Sequence, residues 1–173
     1  MQKAALCALV VLFVVVAAET KPSLATYVTN ADVQSVFKRA PENGVTDQQI
    51  RSVNVGKANV AVAAVYRSAK ANNGSIEHDQ VTEVYTIVEG SGTLVTGGTM
   101  SNPERLKPED PTVRVLAGPS VRGAGIENGE SRKVAAGDVI IIPAGIPHWF
   151  SSIDGAIRYS VVRVDPDKLL PPK

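Results

Sequence analysis

The chain has 173 residues, 44% hydrophobic and 20% charged, which suits one globular domain with a real core and excludes a disordered chain. Eighteen basic and seventeen acidic residues give a formal charge of +1, and no basic run interleaved with aromatics occurs. No strong field therefore points at nucleic acid or anionic lipid, and nucleic-acid binding is set aside.

The first residues read as a processing signal. Met1, Gln2 and Lys3 form a short positive start, Ala4 to Val16 is unbroken apolar sequence, and Val16 and Ala18 supply small side chains at signal-peptidase spacing. A bilayer span needs roughly 18 apolar residues or more, and this run is shorter and is followed at once by Glu19, Thr20 and Lys21. Residues 1–18 are expected to be a cleaved signal peptide, so that the mature protein is periplasmic or secreted and keeps no membrane anchor. Cleavage removes Cys7, the single cysteine, and with it any disulfide or thiolate metal site.

Residues 19–52 read as a helical arm. Thr29 or Asn30 is an N-cap, Val33, Val36 and Phe37 form an i, i+3, i+4 stripe, and Pro41 stops the helix. Thr46 with Gln49 has the form of a capping box and predicts a second short helical turn. From Val53 the texture changes to short β-prone runs: Asn59 to Arg67, Glu83 to Val88, Gly92 to Thr96, Pro119 to Gly123, Asp138 to Pro143 and Ala156 to Val164. Turn residues separate them, including Asn72-Asn73-Gly74 and the EGSG run at Glu89. Regularly spaced short strands of this kind predict an all-β sandwich or barrel over 53–165. Met100 to Gly118, with Pro103, Pro108 and Pro111, has no period and reads as a long surface loop. Residues 166–173 read as an extended tail.

The chain has two histidines. His78 is followed after four residues by Glu83 and after six more by Gly90. Gly137 is followed after five residues by Pro143, then by Gly145 and, two residues on, by His148. These spacings, in this order, resemble the two motifs of the cupin superfamily over roughly Val60 to Val164. The resemblance implies a double-stranded β-helix (jelly-roll) barrel preceded by the short helical segment. The second motif matches at Gly137, Pro143, Gly145 and His148, with Ser152 at its usual final asparagine.

The first motif is partial. The superfamily usually supplies two histidines at i and i+2 before the glutamate, a spacing that puts both on one strand face. With the four-residue gap to Glu83 kept, His78 is the second histidine and Ile76 stands at the first. With the gap shortened, His78 is the first and Gln80 replaces the second. The first register needs no deletion and is preferred. In either register the resemblance implies one divalent ion held by His78, Glu83 and His148, with Gln80 a candidate fourth ligand or partner of a metal-bound water. Two imidazoles and a carboxylate suit iron, manganese, zinc or copper without choosing among them.

Alternation from Glu83 places Tyr85 and Ile87 on its face, and Phe150 on the face of His148. Tyr85 is a candidate acid/base or substrate contact, and Phe150, Arg67 and Tyr159 are further candidate substrate contacts. The resemblance implies an exported metal-dependent enzyme acting on a small organic molecule, with dioxygenase-like or lyase-like (or isomerase) chemistry. The alternative is a noncatalytic periplasmic cupin that binds a sugar or other metabolite. A homodimer is expected by resemblance alone.

Overall fold

The computed structural model describes residues 24–71 and 74–173. The expected signal peptide lies outside these residues, as do Asn72 and Asn73 of the NNG turn. The elements are helix α1 (Asn30–Arg39) and strands β1 (Val45–Asn54), β2 (Asn59–Ser68), β3 (Ser75–His78), β4 (Thr82–Thr96), β5 (Thr99–Ser101) and β6 (Glu104–Arg105). A π-helical turn (Thr112–Ala117) follows, then β7 (Ser120–Gly123), β8 (Gly125–Glu127), β9 (Glu130–Ala135), β10 (Val139–Ile142) and β11 (His148–Asp165). Among the described residues, no helix is long and apolar enough to cross a membrane.

Every strand pair is antiparallel. The main sheet runs β1-β2-β11-β3-β7-β6, and β4 joins it by pairing with β11, β10 and β9. The two long strands, β4 and β11, wrap the barrel together. Alternation sends Glu83, Tyr85 and Ile87 of β4 inward against Arg163, Val161 and Tyr159 of β11, their registered partners. The core of this barrel is Ala63, Val65, Tyr85, Ile87, Leu94, Phe150, Ile157, Tyr159 and Val161 with their neighbours.

The helix predicted from Thr29 is present. Its capping box is closed by Thr29 with Asp32: the Thr29 hydroxyl accepts from the Asp32 N–H at 3.1 Å, and the Thr29 N–H donates to Asp32 Oδ2 at 2.9 Å. Val36 and Phe37 are buried against Ile50, Ala64 and Tyr66, so α1 covers the outer face of β1 and β2.

Three local expectations are corrected. Thr46 to Gln49 is not a helical turn but part of β1, paired residue by residue with β2 from Thr46↔Tyr66 to Gln49↔Ala63. Here the long-range ladder outweighs the local capping signal, and the barrel begins before residue 53. The EGSG run does not separate two strands, because β4 continues through it. Gly90 sits at φ +84°, and a Cβ there would lie 2.0 Å from the Ala156 carbonyl oxygen, so glycine lets β4 bend while hugging β11. The segment Met100 to Gly118 is not wholly irregular, since it carries β5's end, β6 and the π-helical turn.

Candidate metal centre

Three strand ends build the centre. His78 is the last residue of β3, Glu83 the second of β4 and His148 the first of β11. The turn before His148 is tied to the turn after His78: Gly145, at φ +75°, donates its N–H to the His78 carbonyl at 2.8 Å. A side chain at that left-handed position would be strained, which is why the second motif carries glycine there. The two histidines are thus brought together by backbone geometry, and their rings stand edge to face with centroids 5.3 Å apart.

His78, Glu83 and His148 are all buried, at 5%, 1% and 4% exposure, and their ligand atoms lie within 4.8 Å of one another. Glu83 Oε2 is 3.6 Å from His78 Nε2 and 3.3 Å from His148 Nε2. The other ring nitrogens fix the tautomers. Ser120 Oγ donates to the Gly118 carbonyl at 2.8 Å, so at 2.8 Å from His78 Nδ1 it accepts that N–H. His148 Nδ1 lies 3.1 Å from the Ile146 carbonyl, which can only accept. Both rings therefore turn Nε2, the nitrogen left free to ligate, toward the carboxylate. His148 Nε2 is buried with no hydrogen-bond partner among the described residues.

Three acceptors facing one another fit a small cation. Ligands about 2.1 Å from one tetrahedral ion stand about 3.4 Å apart, a spacing that the 3.3 and 3.6 Å to Glu83 bracket. Burial lowers the His78 pKa, with Glu83 opposing, so its imidazole is held neutral as a ligand requires.

Glu83 also has protein partners. Arg163 Nε donates to its Oε1 at 2.8 Å and the Tyr85 hydroxyl to its Oε2 at 2.8 Å. Burial pushes the Glu83 pKa up, but the charge His78 carries whenever it is protonated, and that of Arg163, more than reverse this and hold it well below the usual range. Arg163 is in turn gripped by Asp47, whose two oxygens accept from Nη1 at 3.1 Å and Nη2 at 2.5 Å. Burial works against its charge, yet Asp47 and Glu83 raise its pKa. Burial, and then the Glu83 charge, push the Tyr85 phenol well above its ordinary value, so it stays protonated and donates.

The remaining sequence candidates divide. Phe150 and Tyr159 pack with Tyr85 as an aromatic layer beside the centre: Tyr85 and Tyr159 have centroids 4.5 Å apart, Phe150 and Tyr159 5.8 Å. Arg67 is partly buried and its Nε donates to the Tyr159 hydroxyl at 2.8 Å, so that hydrogen is already spent. Gln80 does not join the donors. It sits exposed in the bend between β3 and β4, outside strand alternation, whereas His78, Glu83 and His148 are buried. Ile76, two residues before His78 on β3, is paired with His148, which agrees with the register that leaves isoleucine at the missing histidine.

Asp47, Ser120 and Arg163 had no motif to mark them. The one available signal was alternation along β11, where Arg163 follows Ile157, Tyr159 and Val161 on the inward face.

The family model described as Cupin matches residues 42–169. The chain belongs to the cupin family. No curated protein matches it. Among solved structures, an uncharacterized conserved protein with a double-stranded β-helix domain from Klebsiella pneumoniae aligns over 84% of this chain and 94% of its own, at 14% identity and TM-score 0.50. The DMSP lyase DddQ from Ruegeria pomeroyi aligns at 16% identity and TM-score 0.47, over 75% of this chain and 50% of its own, so this cupin spans about half that lyase. The polyketide cyclase RemF from Streptomyces resistomycificus aligns at 21% identity and TM-score 0.43, over 82% of this chain and 80% of its own. At 14% identity the likeness to the Klebsiella pneumoniae protein is one of fold alone.

Proposed function

We propose that this cupin is an exported mononuclear-metal enzyme acting on a small organic molecule, with dioxygenase-like or lyase-like chemistry. One observation carries the metal reading: two Nδ1-anchored imidazoles and a carboxylate, all buried, converge at ligand spacing, and His148 Nε2 lacks any partner among the described residues. His78, Glu83 and His148 would hold the ion. When bound, such an ion supplies a Lewis-acidic centre and, if it is iron, manganese or copper, a redox one.

The chain's own residues do the positioning. Ser120 and the Ile146 carbonyl fix the two rings, while Arg163 and Tyr85 hold Glu83 ionised and oriented. Tyr85 is assigned as that donor and not as a base, because its phenol is kept protonated. The layer of Tyr85, Phe150 and Tyr159 keeps water from one side of the centre.

Elemental analysis of the purified chain tests this directly. About one ion per chain is expected, falling at least ~10-fold in His148→Ala, the order seen when a metal shell is disturbed. A content far below one, unchanged in that variant, rejects it. Export is supported by the apolar run Ala4 to Val16 with Val16 and Ala18, and is tested by the N-terminal sequence of the exported protein. The homodimer rests on family resemblance and is tested by sedimentation.

A second reading, a noncatalytic binder of a sugar or other metabolite, is favoured by the charge balance. Arg163 already donates to both Glu83 and Asp47. The carboxylate at the centre therefore has a buried positive partner without an ion. A chelator distinguishes the two, abolishing turnover in the enzyme and leaving ligand-induced stabilisation intact in the binder.

A further inference from the structure

The outer face of the barrel is apolar where α1 leaves it bare. Register aligns Ile141 of β10 with Val84 of β4, Val162 of β11 and Val62 of β2, one row across four strands. The next row is Thr82 of β4, Val164 of β11, Val60 of β2 and Val53 of β1. Their strand neighbours Glu83, Arg163 and Ala61 are buried in the barrel, so alternation turns both rows outward. Helix α1 covers this side of the sheet at Ala64 and Tyr66, and the apolar cluster it forms there takes in neither row. Ile141 is 68% exposed and Val139, two residues before it, 62%, while the others are partly exposed.

An antiparallel sheet that faces water on one side is polar on that side. Here seven of the eight side chains in the two rows are aliphatic, the eighth is Thr82, and none is charged. With strands about 4.8 Å apart and like-facing residues about 6.8 Å apart, each position covers about 33 Å², and the two rows with Val139 cover about 300 Å². Monomers rarely leave a larger contiguous apolar patch open to water. A standard interface takes about 800 Å² from each partner, as an apolar core inside a polar rim. This patch has the size and composition of such a core.

We propose that this face binds a second copy of the chain, sheet against sheet about a two-fold axis. Two like faces pack about 10 Å apart with their side chains interleaved, and a two-fold relation makes one patch complementary to itself. No charge on either side opposes the contact. A charged peptide or an anionic membrane finds nothing there to pair with. The inference rests on the homodimer reading and names its surface, and it is independent of the metal.

The test is sedimentation of the mature chain over a range of concentrations, with Ile141→Glu beside the parent. Because Ile141 is mostly exposed and belongs to neither core cluster, Ile141→Glu should keep the parent's circular dichroism. The parent should sediment as a dimer, and the variant's dissociation constant should rise at least ~10-fold, as when one interface anchor is lost. Ile141→Val should dimerise like the parent, and so should Val115→Glu, which places the same charge at a 41% exposed valine outside the patch. If Ile141→Glu fails to fold, Val139→Glu carries the same test. A dimeric parent that both glutamates leave unchanged overturns this face and spares the homodimer. A parent that is monomeric at every concentration overturns both. A monomer that binds neutral phosphatidylcholine vesicles, and loses them in Ile141→Glu, overturns the second copy in favour of a membrane surface.

Discussion

Arg163 and Glu83 face each other directly across the β11–β4 ladder, and the guanidinium Nε donates to the carboxylate at 2.8 Å with both side chains under 5% exposed. A carboxylate at 1% exposure is tolerable only with such a partner. Arg163→Met removes the partner of both Glu83 and Asp47 and should cost about 3–5 kcal/mol in urea unfolding. Arg163→Lys keeps the charge but not the fork that reaches two carboxylates, and should fall between. The double variant Arg163→Met with Glu83→Gln should recover part of the loss. Equal stability of the first single variant and the parent would show that the ion pair is not what keeps Glu83 charged.

Metal removal should be visible in stability as well as in composition. An ion that binds only the folded chain at 100 times its dissociation constant adds about 2.7 kcal/mol. A chelator should therefore lower Tm, and readdition of one divalent metal should restore it. In Glu83→Gln or His148→Ala the chelator should have little further effect, since the site is already crippled. A chelator that leaves the parent's Tm unmoved, whichever metal is supplied, contradicts the centre.

Much of the barrel was legible because its signals are local. Alternation marked the strands, Gly137, Pro143, Gly145 and His148 marked one motif, and His78, Glu83 and Gly90 the other. What escaped was set by register across distant strands. Asp47 and Arg163 are 116 residues apart, and nothing near either announces the other. Thr46 to Gln49 misled for a related reason: its capping pattern is genuine, but pairing with β2 fixes the same residues as strand. Gln80 was drawn toward the centre by spacing, whereas the strand ends at His78 and the chain turns outward before residue 80.

Helix α1 gives a pH-dependent prediction away from the centre. The Thr29 backbone N–H, and then its hydroxyl, hold the Asp32 carboxylate below its ordinary pKa of 3.8. A depressed folded-state pKa means the unfolded chain binds protons first as pH falls. The contribution of Asp32 is therefore fully present above its ordinary pKa and is lost as pH drops through the lower folded value. Asp32→Asn should melt earlier than the parent at about pH 6, and the gap should close as pH falls below the ordinary carboxylate range. A gap independent of pH would assign the effect to something other than the carboxylate's charge.

The tail, read from sequence as a plain extended end, is anchored. Leu170 is 1% exposed, its carbonyl accepts from Asn59 Nδ2 at 2.9 Å and its N–H donates to Asp165 Oδ2 at 2.8 Å. Asn59 and Asp165 are registered partners at the ends of β2 and β11, so the tail seals the end of the ladder. Truncating a buried leucine costs its transfer free energy and leaves a cavity. Leu170→Ala should therefore lose about 2–5 kcal/mol, as measured by urea unfolding. The neighbouring Leu169 is 43% exposed, and Leu169→Ala should cost well under half as much. If the two substitutions cost the same, Leu170 is not the anchor, and the tail's hold on the barrel lies in its backbone pairing with Ser52.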